Sequence, residues 1–184
     1  GVIMYVKRVC YPIQVLGPGQ RIGIWLAGCD KRCSGCMSPE LQTTKGSKNI
    51  SVKEIEKMFE KIVDRIDGVT ISGGEPFLQA EELYELVHYL KQNITDDIII
   101  YSGYKFEELK QMQSIYVDKI LDLISVLIDG EYIDEQNDGI GIRGSSNQKI
   151  HIFRNCNDYS KLSTEERKLQ TFRYNGQILV VGIQ

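Results

Sequence analysis

The chain has 184 residues, of which 42% are hydrophobic and 26% are charged, and its formal net charge at pH 7 is −3. This length and apolar content predict one domain with a buried core, and the slight negative charge argues against a nucleic-acid-binding protein, which normally carries a basic surface. Because no apolar run reaches the length of a membrane span and the first residues lack the pattern of a signal peptide, we expect a cytoplasmic protein without a membrane partner.

Apolar runs of strand type alternate with helical patterns along the first 128 residues. In chain order, the predicted strands are residues 2–9 continuing at 13–16, then 22–27, 69–72, 98–101 and 125–128. The predicted helices are a capped helix over 51–66, a second around 83–90 and helical material over 106–121. Ser51 and Glu54 have the spacing of a capping box, which marks the start of the first helix. Strand and helix alternation predicts an α/β fold with a parallel sheet.

The chain after residue 128 has a different pattern. Residues 149–153 alternate like a strand, and Ser163-Thr164-Glu165-Glu166 predicts a short capped helix. Residues 171–183 alternate around Asn175-Gly176, a pair typical of a type I′ turn, and predict a hairpin. We therefore predict a single domain over 1–184, with a core at about 17–153 and an extension over 154–184.

Three of the five cysteines crowd into one short segment, as Cys29, Cys33 and Cys36. Iron–sulfur clusters are held by cysteine thiolates, and a cubane bound by only three of them has one iron without a protein ligand. Structural zinc usually takes four ligands in two pairs, and no second pair follows, although Cys10 or Cys156 could complete such a site. The spacing favours an iron–sulfur cluster and leaves open a zinc site or cysteines without a metal.

Polar and turn-forming residues follow each core strand. After the cysteine segment, the strand ends carry Ser72-Gly73-Gly74-Glu75-Pro76, then Ser102-Gly103-Tyr104, then Asp129-Gly130-Glu131. Each could be an ordinary turn, since these residue types form most turns. In parallel sheets, however, ligands bind at the carboxyl ends of the strands. Four such segments predict a binding site at that edge.

Residues 139–144 match the dinucleotide-binding fingerprint G-x-G-x-x-G. That fingerprint requires a strand before it and a helix after it. Here a polar loop precedes the match, and the strand-like segment 149–153 follows it. The match therefore does not indicate a dinucleotide site.

The combination of motifs resembles a known family. The cysteine segment, Gly73-Gly74-Glu75 and Gly17-Pro18-Gly19-Gln20-Arg21 together resemble the radical S-adenosylmethionine (SAM) enzymes, specifically the small activating enzymes of glycyl-radical proteins. Within that family, Gly35, Tyr101-Ser102-Gly103-Tyr104 and the segment 143–148 are most similar to the members that activate anaerobic ribonucleoside-triphosphate reductase. The resemblance runs from about residue 17 to 153 and favours iron–sulfur over zinc.

The resemblance implies a fold, a chemistry and partners. The fold is a partial radical SAM (β/α) barrel with a mostly parallel sheet and a C-terminal β-hairpin extension, because a full (β/α)8 barrel takes about 250 residues. One [4Fe–4S] cluster on Cys29, Cys33 and Cys36 would bind SAM through its open iron and generate a 5′-deoxyadenosyl radical that takes a hydrogen atom from a glycine. The implied partners are the large subunit of the anaerobic reductase and a reduced flavodoxin or ferredoxin as electron donor.

The resemblance also implies SAM-binding residues, and it implies no separate catalytic side chain. These residues are Met37, Gly73, Gly74, Glu75, Ser102 and Asp129. Glu75 would accept hydrogen bonds from the methionine ammonium, and the two glycines would let main chain approach closely. Met37 would lie beside the adenine. Ser102 and Asp129 have the positions where ribose or carboxylate contacts are expected.

Two other functions remain as alternatives. A radical SAM enzyme that acts on another glycyl-radical enzyme, on a peptide or on a small molecule, as 7-carboxy-7-deazaguanine synthases do, would share the short barrel and the three cysteines. A noncatalytic zinc module would use the same cysteines with a fourth ligand. The segment 143–148 could contact the cosubstrate or a partner's backbone, and Trp25 is expected in the core, with a place beside the cluster as the alternative.

Overall fold

Four parallel strands form the centre of a seven-stranded sheet. The structure, a computed structural model, describes residues 2–184 apart from the side chains of Val63 and Tyr174, so that Gly1, the first residue of the predicted domain, lies outside the described residues. The strands are β1 (Ile3–Ile13), β2 (Arg21–Leu26), β3 (Lys48–Ser51), β4 (Gly68–Gly73), β5 (Ile98–Ser102), β6 (Val126–Asp129) and β7 (Lys149–Ile152). Their order in the sheet is β3-β1-β2-β4-β5-β6-β7.

The strand directions confirm a mixed α/β fold with a mostly parallel central sheet. Strands β2, β4, β5 and β6 are parallel neighbours, whereas β1, β3 and β7 pair antiparallel at the two sides. All four central strands therefore end at the same edge of the sheet. The cysteine segment follows β2 at that edge, as the sequence predicts.

Four helices connect the strands, and two of their boundaries differ from the prediction. The helices are α1 (Val52–Phe59), α2 (Ala80–Asn93), α3 (Phe106–Gln111) and α4 (Ile115–Leu123). The predicted capping box is present at the start of α1, where Ser51 Oγ accepts from Glu54 N–H at 3.3 Å. Among the described residues, no helix combines the length and the apolar composition needed to cross a membrane.

A tertiary contact explains why the first helix prediction was too long. Helix α1 ends at Phe59 instead of residue 66, because Asp67 is joined to Gln20 beside β2 by hydrogen bonds of 2.7 and 2.8 Å and the chain must leave the helix to reach it. The predicted helical material over 106–121 is two helices. Gln113 has a φ of 51°, which ends the first, and Ser114 caps the second.

The two faces of the sheet are covered by different parts of the chain. Ile98 and Ile100 of β5 point to the face on which the helices pack, where they share one apolar cluster with α2 and α4 residues. Ile99 points to the other face and packs with Ile142 and Leu162. The chain after β6 therefore covers one face of the sheet, and the helices cover the other.

The extension contains the predicted hairpin but lacks the predicted short helix. Strands β8 (Gln170–Tyr174) and β9 (Gln177–Val181) flank Asn175 and Gly176, whose φ angles are 49° and 74°. Residues 163–166, by contrast, form turns and a bridge to Ile140. The main-chain oxygens of Leu162 and Glu165 accept hydrogen bonds at 2.9 Å from residues 142 and 141, so they are not available for a helix.

Candidate functional site

A cavity of about 390 Å³ lies at the carboxyl ends of the central strands. All three cysteines of the segment 29–36, which the sequence predicts as metal ligands, line it, although within residues 2–184 no three His, Cys, Asp or Glu side chains are grouped closely enough to hold a single metal ion. Four other predicted site residues also line it: Met37, Gly73, Gly74 and Ser102. Glu75 and Asp129 are not part of its wall.

The cysteine segment leaves β2 along a path set by main-chain contacts. Gly28, with a φ of 101°, donates its N–H to the carbonyl of Leu41 at 2.8 Å, and the Cys29 N–H donates to Gln42 at 3.2 Å. All five cysteines are free thiols, and burial raises the pKa of Cys29 and Cys33. The segment therefore presents three unpaired thiols to one cavity.

Two side chains of the segment fasten it to the ends of neighbouring strands. The Tyr104 hydroxyl, after β5, donates to the Asp30 carboxylate. Lys31 places its Nζ 4.0 Å from the centre of the Tyr104 ring and 3.3 Å from Glu131 Oε1, after β6. These contacts hold the cysteines over the ends of β5 and β6, and the sequence analysis did not predict them.

Gly73 and Gly74 are required by contacts within the protein. The Gly74 N–H donates to Leu26 at 3.0 Å, and the Glu75 N–H donates to Gly28 at 2.7 Å. A Cβ at Gly73 would lie 2.1 Å from the Leu26 carbonyl oxygen, and one at Gly74 would lie 2.2 Å from that of Gly28. The glycines therefore let the end of β4 pack directly against the start of the cysteine segment, while both also line the cavity.

Glu75 lies beneath the cavity and joins two strand ends. Its carboxylate has no exposed surface and accepts from the Phe77 N–H at 3.0 Å, the Ser102 hydroxyl at 3.0 Å and the Gly103 N–H at 2.6 Å. Burial outweighs these hydrogen bonds and raises the pKa of Glu75 to about 7. In this position the carboxylate orients the main chain at the end of β5, and its contact with a methionine ammonium stays a prediction.

Asp129 is likewise occupied by contacts within the protein. Its carboxylate accepts from the main-chain N–H groups of Phe106 at 2.5 Å and Lys149 at 3.3 Å, and it lies 2.9 Å from His151 Nε2. It therefore joins β6 to β7 and α3, and its predicted contact with SAM stays a prediction.

The segment 143–148 folds back onto the end of β6. Gln148 Oε1 accepts from the N–H groups of Gly144 at 2.7 Å and Ser145 at 3.2 Å, and its Nε2 donates to the Gly130 carbonyl at 2.7 Å. Gly144 and Gln148 line the cavity. The segment therefore lies beside the cavity, and its two expected roles, contact with the cosubstrate and contact with a partner's backbone, stay predictions.

Part of the cavity wall was missed by the sequence analysis. Trp25 is only 8% exposed and packs with Leu16 and Val181, as expected of a core residue, and it also lines the cavity, while its place beside a cluster stays a prediction. Residues 179–184 of the extension form a further wall. The alternation of residues 171–183 predicted the hairpin but carried no signal for where it would pack.

A second buried polar cluster lies at the opposite, amino ends of the strands. Arg21 has no exposed surface and donates to Asp97 at 2.6 and 3.0 Å and to Thr70 Oγ1 at 2.8 Å. Asp97 also accepts from the Tyr159 hydroxyl at 2.6 Å and the Asn157 side chain at 3.0 Å. Since both of these donors belong to the extension, this part of the chain contacts both ends of the sheet.

Comparison with known proteins adds two findings to this geometry. The family model for the 4Fe-4S single cluster domain matches residues 15–151. The chain is also similar to the anaerobic ribonucleoside-triphosphate reductase-activating proteins of Vibrio cholerae, at 35% identity over 151 residues, and of Haemophilus influenzae, at 35% over 156 residues. These alignments cover 78% of this chain and 95% and 96% of the relatives.

The chain is also similar to a more distant relative. The chain is 32% identical over 123 residues to the pyruvate formate-lyase-activating enzyme of Clostridium pasteurianum, an alignment that covers 65% of this chain and 49% of the relative. The residues after 151, which include the hairpin wall of the cavity, lie beyond the match to the family model.

Proposed function

The chain belongs to the family of anaerobic ribonucleoside-triphosphate reductase-activating proteins and carries a 4Fe-4S single cluster domain, and on this premise we propose that it installs a glycyl radical on an anaerobic ribonucleoside-triphosphate reductase. Membership makes the chain an enzyme of the radical SAM class and confirms the resemblance of its motifs. The proposal assigns a [4Fe–4S] cluster to Cys29, Cys33 and Cys36, with SAM as cosubstrate.

The donor set in the cavity fits such a cluster. Three thiols from one segment line the cavity, whereas Cys10 and Cys156 are not part of its wall. Three thiolates leave one iron of a cubane without a protein ligand, whereas a closed structural zinc site takes four. This arrangement of thiols is the observation that carries the proposal, and it disfavours the zinc module.

The remaining lining residues suit a cosubstrate with polar and apolar parts. When bound, the cluster and SAM supply a 5′-deoxyadenosyl radical that abstracts a hydrogen atom. Gln42 and Ser72 contribute polar groups to the wall, while Trp25 and Met37 provide apolar surface that excludes water. Glu75 keeps the Gly103 N–H in place from below.

Two finer assignments belong to the same proposal. We assign the sheet as a partial radical SAM barrel, because helices cover one of its faces and the cavity lies at the carboxyl ends of its parallel strands. The open side of such a barrel would admit a segment of another protein. A reduced flavodoxin or ferredoxin would supply the electron.

Anaerobic reconstitution tests the proposal. The purified chain, supplied with iron, sulfide and a reductant, is expected to bind about four irons per chain and to form 5′-deoxyadenosine from SAM. With the anaerobic reductase from the same organism, it is expected to produce the doublet electron-spin signal of a glycyl radical on the reductase. Cys36→Ala should abolish both activities, and Cys156→Ala, outside the cavity, should leave them unchanged.

Each other function gives a different result in this experiment. Stoichiometric zinc without iron would show a zinc module. Cleavage of SAM without a radical on the reductase would show a different substrate, whether another glycyl-radical enzyme, a peptide or a small molecule.

A further inference from the structure

The wall that the extension adds to the cavity is the edge of a strand. Residues 179–184 all line the cavity, although successive side chains of a strand point to opposite faces. A strand that presents residues of both faces to one cavity must turn its main-chain edge toward it. The hydrogen-bonding groups along that edge of β9 therefore face the site.

This edge is not paired with another strand. Within residues 2–184, β9 pairs only with β8, in a two-stranded sheet. Counted from the two-residue turn, hydrogen-bonded and non-hydrogen-bonded pairs alternate, and Thr171 and Val180 form a non-hydrogen-bonded pair. The N–H and C=O of Val180 therefore point away from β8, to the free edge of β9.

The free edge leads from the surface into the cavity. Gln177 and Ile178, at the start of β9, are exposed and do not line the cavity, whereas the residues from Leu179 onward do. A chain segment paired along this edge would therefore run from outside the protein into the cavity that the three thiols line. Five residues of strand would span roughly 17 Å along this path.

The hairpin is firmly attached to the rest of the domain. Leu179 and Val181 pack with Trp25, and Gln170 Oε1 accepts from the Gln14 N–H at 2.6 Å. Arg167, just before the hairpin, donates to the main-chain oxygens of residues 143 and 184 at 2.8 and 3.0 Å. The edge is thus held in a defined position beside the cavity, as a docking strand must be.

We propose that the free edge of β9 binds an extended, glycine-bearing segment of the target protein by adding it as a third strand to the hairpin. The proposal rests on the proposed function and names how the target is recognised. A glycine offers no side chain to a pocket, so a site that recognises it must contact its main-chain groups, and strand addition does this. The edge and the three thiols line the same cavity.

A labelled peptide tests the pairing without changing the protein. The probe is a fluorescein-labelled nine-residue peptide that contains the target glycine of the reductase from the same organism, and its affinity is measured by fluorescence anisotropy under anaerobic conditions. Two versions are N-methylated at alternate amides, one at odd and one at even positions. Because a paired strand directs alternate amides to its neighbour, one version should bind at least tenfold more weakly and the other within about threefold. Equal effects of the two versions would overturn the proposal.

Two proline variants test which edge is used. Val180→Pro removes the N–H that points to the free edge of β9, and Thr171→Pro makes the same change directly across the hairpin, on the outer edge of β8. We expect Val180→Pro to weaken peptide binding at least tenfold and to slow radical formation on the reductase. Thr171→Pro should bind the peptide within about twofold of the unchanged protein.

The outcomes separate this inference from the proposed function. If the unchanged protein places no radical on the reductase, the proposed function fails. If it does so and the two proline variants bind the peptide equally well, only strand addition is overturned. If Val180→Pro instead converts a dimer of this chain into monomers in sedimentation analysis with unchanged peptide affinity, the edge joins two copies of the chain and the proposal is wrong.

Discussion

The two ends of the central strands bury polar groups in opposite ways. At the amino ends, Arg21 and Asp97 form an ion pair with almost no exposed surface, in which each charge has several further hydrogen bonds. At the carboxyl ends, thiols and main-chain groups face a cavity. One end satisfies its polar groups internally, and the other leaves some of them for a ligand.

This difference separates stability from function along the same strands. The network of hydrogen bonds at the amino ends holds the sheet together, as expected of the end of a parallel sheet that is remote from the ligand. At the carboxyl ends, Glu75 is the exception, since it is as fully paired as Asp97 while the residues above it line the cavity. Substitutions at four residues test whether stability and function are divided in this way.

The largest effect is expected from breaking the ion pair at the amino ends. Asp97→Asn leaves Arg21 buried without a full countercharge and should lower the free energy of unfolding by about 3–5 kcal/mol, measured by urea unfolding. The neighbouring variant Asp96→Asn is the control, because Asp96 pairs with Lys91 at the surface and should cost less than about 1 kcal/mol. Folded Asp97→Asn should still bind iron at low temperature. Loss of iron from the folded variant would break the division between the two ends.

A smaller loss of stability, joined to a loss of iron, is expected at Gly73. Gly73→Ala introduces a Cβ 2.1 Å from the Leu26 oxygen at a φ of 132°, and should cost about 3 kcal/mol because β4 and the cysteine segment must separate. Gly139→Ala is the matched control, since it also has a positive φ, 71°, but meets no atom within 4 Å, and it should cost about 1–2 kcal/mol. If both variants bound iron equally well, Gly73 would matter for the packing of β4 and not for the position of the cysteines.

The strands and the chemical motifs were predictable from the sequence because both are local. The short apolar runs of the core strands and the spacing of Cys29, Cys33 and Cys36 need no knowledge of the rest of the chain. The shared edge then followed from the parallel direction of the strands. The end of α1 was not predictable, because the contact of Asp67 with Gln20 decides it across 47 positions.

The roles of individual site residues were less accessible for the same reason. The sequence places Glu75 beside the cavity, but only the positions of Ser102 and Gly103, 27 and 28 residues later, show that its carboxylate is occupied. Likewise, the alternation in β9 predicts a strand without showing which edge is free. Side chains and edges whose partners are distant in sequence need the structure to be interpreted.

Glu75 allows the two ends to be distinguished by pH. Burial raises its pKa from 4.5 to about 7, and Asp30 is a further negative charge nearby. Between these two pH values the Glu75 carboxyl is therefore protonated in the folded state and ionised in the unfolded chain. The contribution of Glu75 to the free energy of unfolding should therefore be fully present below pH 4.5. It should be lost, by up to about 3 kcal/mol, as the pH rises through 7. Glu75→Gln should lack this dependence in urea unfolding at pH 5 and pH 8. A stability that rises with pH only in the unchanged protein would mean that the three hydrogen bonds outweigh burial.

The smallest effect is expected from Tyr104→Phe, which loosens the cysteine segment without exposing the core. The variant loses the hydrogen bond to Asp30 but keeps the ring beneath Lys31, so the free energy of unfolding should change by less than about 1 kcal/mol. Hydrogen exchange of the amides over 29–36 should nevertheless become faster, because one of the two side-chain contacts that hold the segment is gone. Tyr116→Phe removes a similar hydroxyl, which faces Glu81 far from the segment, and should leave that exchange unchanged. If exchange over 29–36 were unchanged in both variants, main-chain contacts alone would hold the thiols in place, and the carboxyl ends would be as internally fixed as the amino ends.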